Sequence, residues 1–199
     1  MWKLGPAWHE AQLAQAWREA RPFPHVIIDG VLEAAQAAQL VEMLEEEPVE
    51  RYEGELFAFE ASAPEPRSAE LAGLRAEFAE VFGPVLSRIT GRDVHRVDMR
   101  AFAYRVGHYL LPHSDHREGL GRALAYIYYL PTPEPPTGGE LELFACREVD
   151  GELVETVSAV QIQPVPDRLV VFEVSARSLH QVREIMGGLR ISLAGWFYP

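Results

Sequence analysis

The chain holds one cysteine, Cys146, in 199 residues. No internal disulfide can form, which suits a reducing compartment. Lysine is as scarce: Lys3 stands alone, so no interior lysine is at hand for a Schiff base or a phosphate-binding P-loop. Asparagine is absent, which excludes a Cys-His-Asn catalytic group. No apolar run approaches the roughly 18 to 20 residues that a membrane-spanning helix needs. The opening MWKLGPAWHEAQ lacks the apolar core of a secretory signal, so the expected location is cytoplasmic, with no membrane partner.

Positive charge is also short. Lys and Arg total 18 against 30 Asp and Glu, a net charge of -12. Such a balance disfavours nucleic acid, whose binding depends on cations neutralising phosphates. It keeps a protein soluble and would favour a basic partner. Length and an apolar content of 48% fit one domain over residues 1–199 with a sizeable core.

Within it, residues 1–93 read as a helical support region and 94–199 as a strand-rich core. Residues 7–20 carry apolar side chains at helical spacing, with Trp8 and Trp17 as packing residues. His25 to Ile28 reads as a short strand, and Val31 to Glu47 as a helix ending in a solvated run, Glu45 to Glu47. Arg51 to Glu60 alternates and reads as one strand. Ser68 to Thr90 is a long helix capped by Ser68, with Pro84 placed to kink or split it. Then come eight short strands: 94–104, 108–115, 122–130, 140–144, 154–162, 168–173, 179–183 and 189–198. That spacing implies a mainly β, α+β fold, a double-sheet jelly roll or cupin-like barrel with the N-terminal helices packed on one sheet.

The chemistry gathers at His113-Ser114-Asp115. On a strand, a period of two puts His113 and Asp115 on one face and Ser114 and His116 on the other. A distant His180 completes two imidazoles and one carboxylate, the set that holds non-haem Fe(II) on one triangular face and leaves positions open for O2 and a co-substrate. His108 and His116 drop out of the set on strand parity. Arg190 opens the last strand, with Ser192, Ala194 and Trp196 on its face. An arginine facing inward there is costly unless it meets an anion, and a guanidinium fork suits a carboxylate. The plainer reading is an ion pair with one of the chain's acids.

These residues fall into a larger pattern: Tyr104-x-x-Gly107, His113-Ser-Asp115, Arg122 followed by Ile127-Tyr-Tyr-Leu130, Gly138-Gly-Glu-Leu141, Asp167 to Phe172, His180-Gln-Val182 and Arg190 to Phe197. In that order they resemble the Fe(II)/2-oxoglutarate-dependent oxygenases, and among them the bacterial prolyl 4-hydroxylase-like enzymes. The resemblance implies a double-stranded β-helix in which 2-oxoglutarate chelates Fe(II) held by His113, Asp115 and His180. It implies that Arg190 and Tyr129 bind the distal carboxylate of 2-oxoglutarate, that Tyr104 lines the same pocket, and that Arg122 and Trp196 contact the substrate. Ser192 would add a hydroxyl on the Arg190 face. Tyr128 alternates away from the site and packs. Pro131 stands where the family carries Asn.

The expected reaction hydroxylates a C–H bond, in a prolyl residue of a protein, while O2 and 2-oxoglutarate give succinate and CO2; ascorbate is the expected accessory. On charge grounds the expected partner is a basic ribosomal or translation protein, met by a monomer or homodimer. Asp115 in the motif argues against a halogenase. Two other readings stay open: hydroxylation of a free amino acid or small molecule, and a non-catalytic sensor that keeps iron and 2-oxoglutarate as ligands.

Overall fold

The structure is a computed structural model describing residues 1–2, 4–5, 8–150 and 152–199; Lys3, and Ala7 at the start of the expected first helix, lie outside them. The first half contains α1 (Glu10–Glu19), β1 (His25–Asp29), α2 (Ala34–Glu45), β2 (Val49–Gly54), β3 (Phe57–Ser62) and α3 (Ala69–Thr90). There follow β4 (Arg96–Val97), β5 (Arg100–Tyr104), β6 (Tyr109–His113), β7 (Leu124–Leu130) and β8 (Thr137–Gly138). The chain closes with β9 (Leu141–Val149), β10 (Glu152–Ile162), β11 (Arg168–Glu173), β12 (His180–Val182), β13 (Ile185–Gly187) and β14 (Arg190–Tyr198).

Helix α3 obeys its local signals. Ser68 Oγ accepts the Leu71 amide at 3.1 Å, and Gly91 ends the helix in the left-handed region, φ 71°. Pro84 neither kinks it into two elements nor ends it: the helix runs through all 22 residues. Glu47, expected at a solvated helix end, is instead buried, and its carboxylate accepts the backbone N–H groups of Arg67 and Ser68 at 2.9 and 2.8 Å. Those donors precede a helix start, where a negative charge also meets the positive end of the helix dipole.

Among the described residues twelve strands join in one sheet, with a path running β1-β11-β7-β14-β5-β3-β6-β12-β9-β10. The path curls on itself, because Ile127, Tyr129, Val170 and Phe172 from one end share a buried cluster with Leu141, Leu143 and Ile162 from the other. The opposite face of the β7–β11–β14 region carries Leu124, Tyr126, Tyr128, Leu169, Val171, Leu193 and Phe197 into a cluster with Phe78 and Phe82 of α3. Trp2 locks this contact, its ring edge-on to Phe78 at 4.9 Å and to Tyr128 at 5.3 Å. So the helices cover one side of the curled sheet, and the cavity opens on the other.

Three expectations need correction. The strand expected over 94–104 is broken at Asp98-Met99 into β4 and β5. Residues 51–60 are not one strand but the hairpin β2–β3, paired from Val49↔Ser62 to Gly54↔Phe57, so the chain turns at Glu55-Leu56. The segment expected as a strand over 108–115 stops at His113. A further pair, β8 with β13, forms a small separate sheet; Gly138 at the end of β8 and Gly139 just beyond it adopt φ 79° and 73°. A side chain at Gly139 would strike Ile185 at 2.3 Å and crowd the Arg190 stem at 3.3 Å.

A candidate metal centre at the head of a cavity

His180 on β12 lies directly across from His113 on β6, so the sheet register itself brings the two imidazoles together. Their ring centroids are 4.3 Å apart. Asp115 lies past the end of β6, so strand periodicity does not deliver it. A turn does: Ser114 Oγ donates to the Ser175 carbonyl at 2.8 Å and accepts the His116 amide at 3.1 Å. The carboxylate then stands 3.8 Å from His113 Nε2 and 3.5 Å from His180 Nε2. Ligand-capable atoms of all three lie within 4.8 Å of one another.

Both imidazoles are set up alike. Nδ1 of His113 faces the Leu111 carbonyl at 2.9 Å, and Nδ1 of His180 faces the Ser178 carbonyl at 2.9 Å. Each Nδ1 thereby keeps its proton and each Nε2 presents a lone pair, the arrangement metal-bound histidines adopt. Burial pushes the His180 imidazole below its ordinary pKa; Asp115 opposes this and His113 adds to it. A neutral ring is the form that ligates.

The cluster opens into a cavity of about 320 Å³. Arg190, Ser192, Ala194 and Trp196 line it, as the alternation of β14 requires, while Leu193 and Phe197 point to the helices. Arg190 is 3% exposed. Its guanidinium sits between two phenol rings, 4.7 Å from the Tyr104 centroid and 5.0 Å from that of Tyr129. Register explains the grouping: Arg190 pairs with Tyr104 across β14–β5, and Ser192 with Tyr129 across β14–β7.

Nε of Arg190 and the hydroxyl of Tyr129 are buried without hydrogen-bond partners, and no ion pair to Arg190 occurs among the described residues. The plainer reading, a structural ion pair, therefore does not apply. Burial raises the Tyr104 hydroxyl to about 12 against the pull of Arg190, so it is a neutral donor at ordinary pH. Orphaned donors around a buried cation beside a facial His/Asp/His set are what a chelating dicarboxylate needs, so Fe(II) and 2-oxoglutarate fit the residues present.

Arg122 and Trp196 meet further along the wall, the guanidinium carbon 3.4 Å from the indole centroid. Arg122 Nη1 donates to the Asp115 carbonyl at 3.2 Å. Tyr128 packs away from the cavity and donates to Asp167 at 2.8 Å. His108 and His116 lie outside the cluster; both also fall outside β6, so strand parity is not what excludes them. Among the lining residues that the sequence did not single out are Asp98, Arg100 and Phe102. Arg100 and Phe102 had a signal, since they alternate with Tyr104 on one face of β5.

The curled antiparallel sheet and its two-imidazole, one-carboxylate cluster define a double-stranded β-helix metalloprotein. Residues 99–198 match the family described as the 2OG-Fe(II) oxygenase superfamily, and the chain belongs to it. It is 32% identical over 207 residues to the prolyl 3-hydroxylase OGFOD1 of Mus musculus, covering 94% of this chain and 37% of that protein. The Xenopus laevis counterpart is 32% identical over 187 residues, with 89% and 35% covered. The chain thus spans little more than a third of these curated relatives. Among solved structures, a Pseudomonas putida prolyl-4-hydroxylase superposes with a TM-score of 0.69 at 20% identity, covering 94% of this chain and 98% of that one. A Trichoplax adhaerens prolyl hydroxylase, solved with a hypoxia inducible factor peptide fragment, gives 0.68 at 16% identity, covering 95% and 90%. These structural likenesses carry the fold.

Proposed function

We propose that the protein is an Fe(II)- and 2-oxoglutarate-dependent dioxygenase that hydroxylates a prolyl residue in a protein. One observation carries the reading: a buried, ion-pair-free Arg190 with the unpartnered Tyr129 hydroxyl, in the same cavity as the His113, Asp115 and His180 cluster. The prolyl assignment draws on the curated relatives, whose names describe prolyl 3-hydroxylases.

In this reading His113, Asp115 and His180 hold the metal, and their backbone-bonded Nδ1 atoms keep both imidazoles in the ligating tautomer. Arg190 takes the distal carboxylate of 2-oxoglutarate bidentately, with Tyr129, Tyr104 and Ser192 as hydroxyl donors around it. Bound there, Fe(II) and 2-oxoglutarate supply O2 activation coupled to formation of succinate and CO2. Leu141, Phe172 and Val182 give the cavity an apolar lining. Trp196 and Arg122 hold the prolyl ring and its peptide group over the metal. Residues 1–199 act as one unit in this reading, the helices bracing the sheet from behind.

Finer points follow the same reading. No helix among the described residues is long and apolar enough to cross a membrane; with Cys146 unpaired, a cytoplasmic location fits. The net charge of -12 favours a basic substrate protein, of the ribosomal or translation kind, and ascorbate would keep the metal reduced. The protein would work as a monomer or homodimer. The test is succinate production from 2-oxoglutarate with Fe(II), ascorbate and prolyl peptides, with mass spectrometry for one added oxygen. Turnover that survives in His113→Ala and Asp115→Ala, or its absence from the native protein, would sink the reading. Separation of the hydroxyproline isomers then decides between the 3- and 4-positions.

A further inference from the structure

The proposed function uses one of three cavity arginines, Arg190, as an anion clamp and gives Arg122 a packing and peptide contact. The third, Arg100, has no part in it. On β5 the side chains of Tyr104, Phe102 and Arg100 share a face, opposite Arg190, Ser192 and Ala194 of β14 in register. Arg100 is therefore four residues from the clamp, roughly 13 Å along the strand, toward the Trp196 end of the cavity. The neighbouring hairpin holds it there. Its Nε donates to the Ser62 carbonyl at 2.7 Å, and its guanidinium lies 5.0 Å from the Tyr52 ring centroid and 5.3 Å from that of Phe102.

That hold leaves one end unused. Nη2 of Arg100 is buried without a hydrogen-bond partner, and so is Nε of Arg122. Neither arginine forms an ion pair among the described residues. The two carboxylates of the cavity wall are engaged: Asp115 in the metal cluster, Asp98 as acceptor of the Tyr198 hydroxyl. Among the described residues the substrate end of the cavity thus carries two arginines against one carboxylate, Asp98, outside the metal cluster, a local excess of cation in a chain of net charge -12. Two half-buried arginines, each with one buried and unpartnered nitrogen, cost stability until an acceptor completes them, and a carboxylate does so better than a neutral carbonyl.

We propose that Arg100, seconded by Arg122, binds a carboxylate of the substrate beside the residue to be hydroxylated, and so determines which sequences are accepted. The inference rests on the proposed function for the term "substrate", but its chemistry belongs to the cavity wall alone. It also divides the electrostatics. The acidic surface guides encounter with a basic partner over distance, while the cavity arginines select an acidic group at contact. The carboxylate can come from an Asp or Glu side chain or from a chain terminus.

Fluorescence anisotropy with the full chain, loaded with Mn(II) and 2-oxoglutarate under argon, measures this without turnover. Labelled peptides pair Asp against Asn next to one proline, and a free against an amidated C-terminus. We expect about tenfold or tighter binding of one carboxylate form, and the pair that shows it identifies the source. Arg100→Met keeps an unbranched stem of similar length without the guanidinium and should remove that preference, leaving the affinity for 2-oxoglutarate unchanged. Arg100→Glu should shift the preference to Lys beside the proline. Equal binding of both members in every pair, at whatever affinity, overturns the proposal, as does an undiminished preference in Arg100→Met. Peptides with the proline replaced by alanine separate the two readings: an intact carboxylate preference with equal binding of Pro and Ala forms counts against the prolyl assignment and for Arg100.

Discussion

Glu142 offers a quantitative test of how the metal-bearing strand is held. It stands on β9 between Leu141 and Leu143, which face the buried cluster between the sheets, so its carboxylate turns to the other side. There it is 3% exposed. It accepts hydrogen bonds from the Ser158 hydroxyl and the Gln181 amide, from Gln161 at 3.2 Å and from Arg183 at 3.1 Å. Burial alone would raise its pKa, but these donors outweigh it and bring the group from 4.5 down to about 2. At about 1.4 kcal/mol per pKa step, the drop corresponds to up to about 3 kcal/mol of folding stability. Because the folded pKa lies below the unfolded one, this contribution is complete above 4.5 and disappears as pH falls toward about 2. Glu142→Gln removes the charge and turns an amide toward the donors. We expect a loss of about 3 kcal/mol at neutral pH, roughly 6 to 12 °C in Tm for a chain of this size. Urea unfolding of both proteins across the acid range checks the sign, since the gap should narrow below 4.5. A gap that is absent, or constant with pH, refutes the reasoning. Gln181 also follows His180 on the three-residue β12, so the variant should bind Co(II) more weakly as well.

Two other substitutions probe the site directly. Arg190→Lys keeps the charge but loses the two-pronged grip; the KM for 2-oxoglutarate should rise about tenfold or more, with metal affinity in the absence of 2-oxoglutarate unchanged by isothermal titration. Gly195→Ala places a Cβ 2.2 Å from the Asp98 carbonyl, a backbone atom that cannot swing away. Thermal melts should show a loss of roughly 1 to 3 kcal/mol, with weaker peptide binding, because the displaced segment leads straight into Arg100; unchanged melting would mean that β4 and β5 shift freely.

Much of the fold was legible because alternation is local. Arg168 to Glu173 matches β11 end to end, and the face of β14 that carries Arg190, Ser192 and Trp196 followed from spacing alone. The break between β2 and β3 was missed although Gly54, flanked by Glu53 and Glu55, marks it, because a lone glycine is also compatible with a continuous strand. The two-residue β8 is too short for any periodicity. Sheet order depends on contacts between distant segments, and here the candidate site is most informative. His113 and Asp115 do converge, but the premise that joined them fails, since the strand ends at His113 and the Ser114 turn brings the carboxylate round. The pairing survives because the site needs only converging atoms, and either a strand or a turn can supply them. Arg100 was missed for the complementary reason. Its parity with Tyr104 was plain in the sequence, but parity says only that two side chains share a face. Whether that face is solvent or cavity depends on β14 lying alongside β5 with Arg190 opposite Tyr104, a contact between segments far apart in the chain. Residues bound to a recognisable ligand set can be found from spacing. Residues that tune selectivity become visible only once the strands around them are in place.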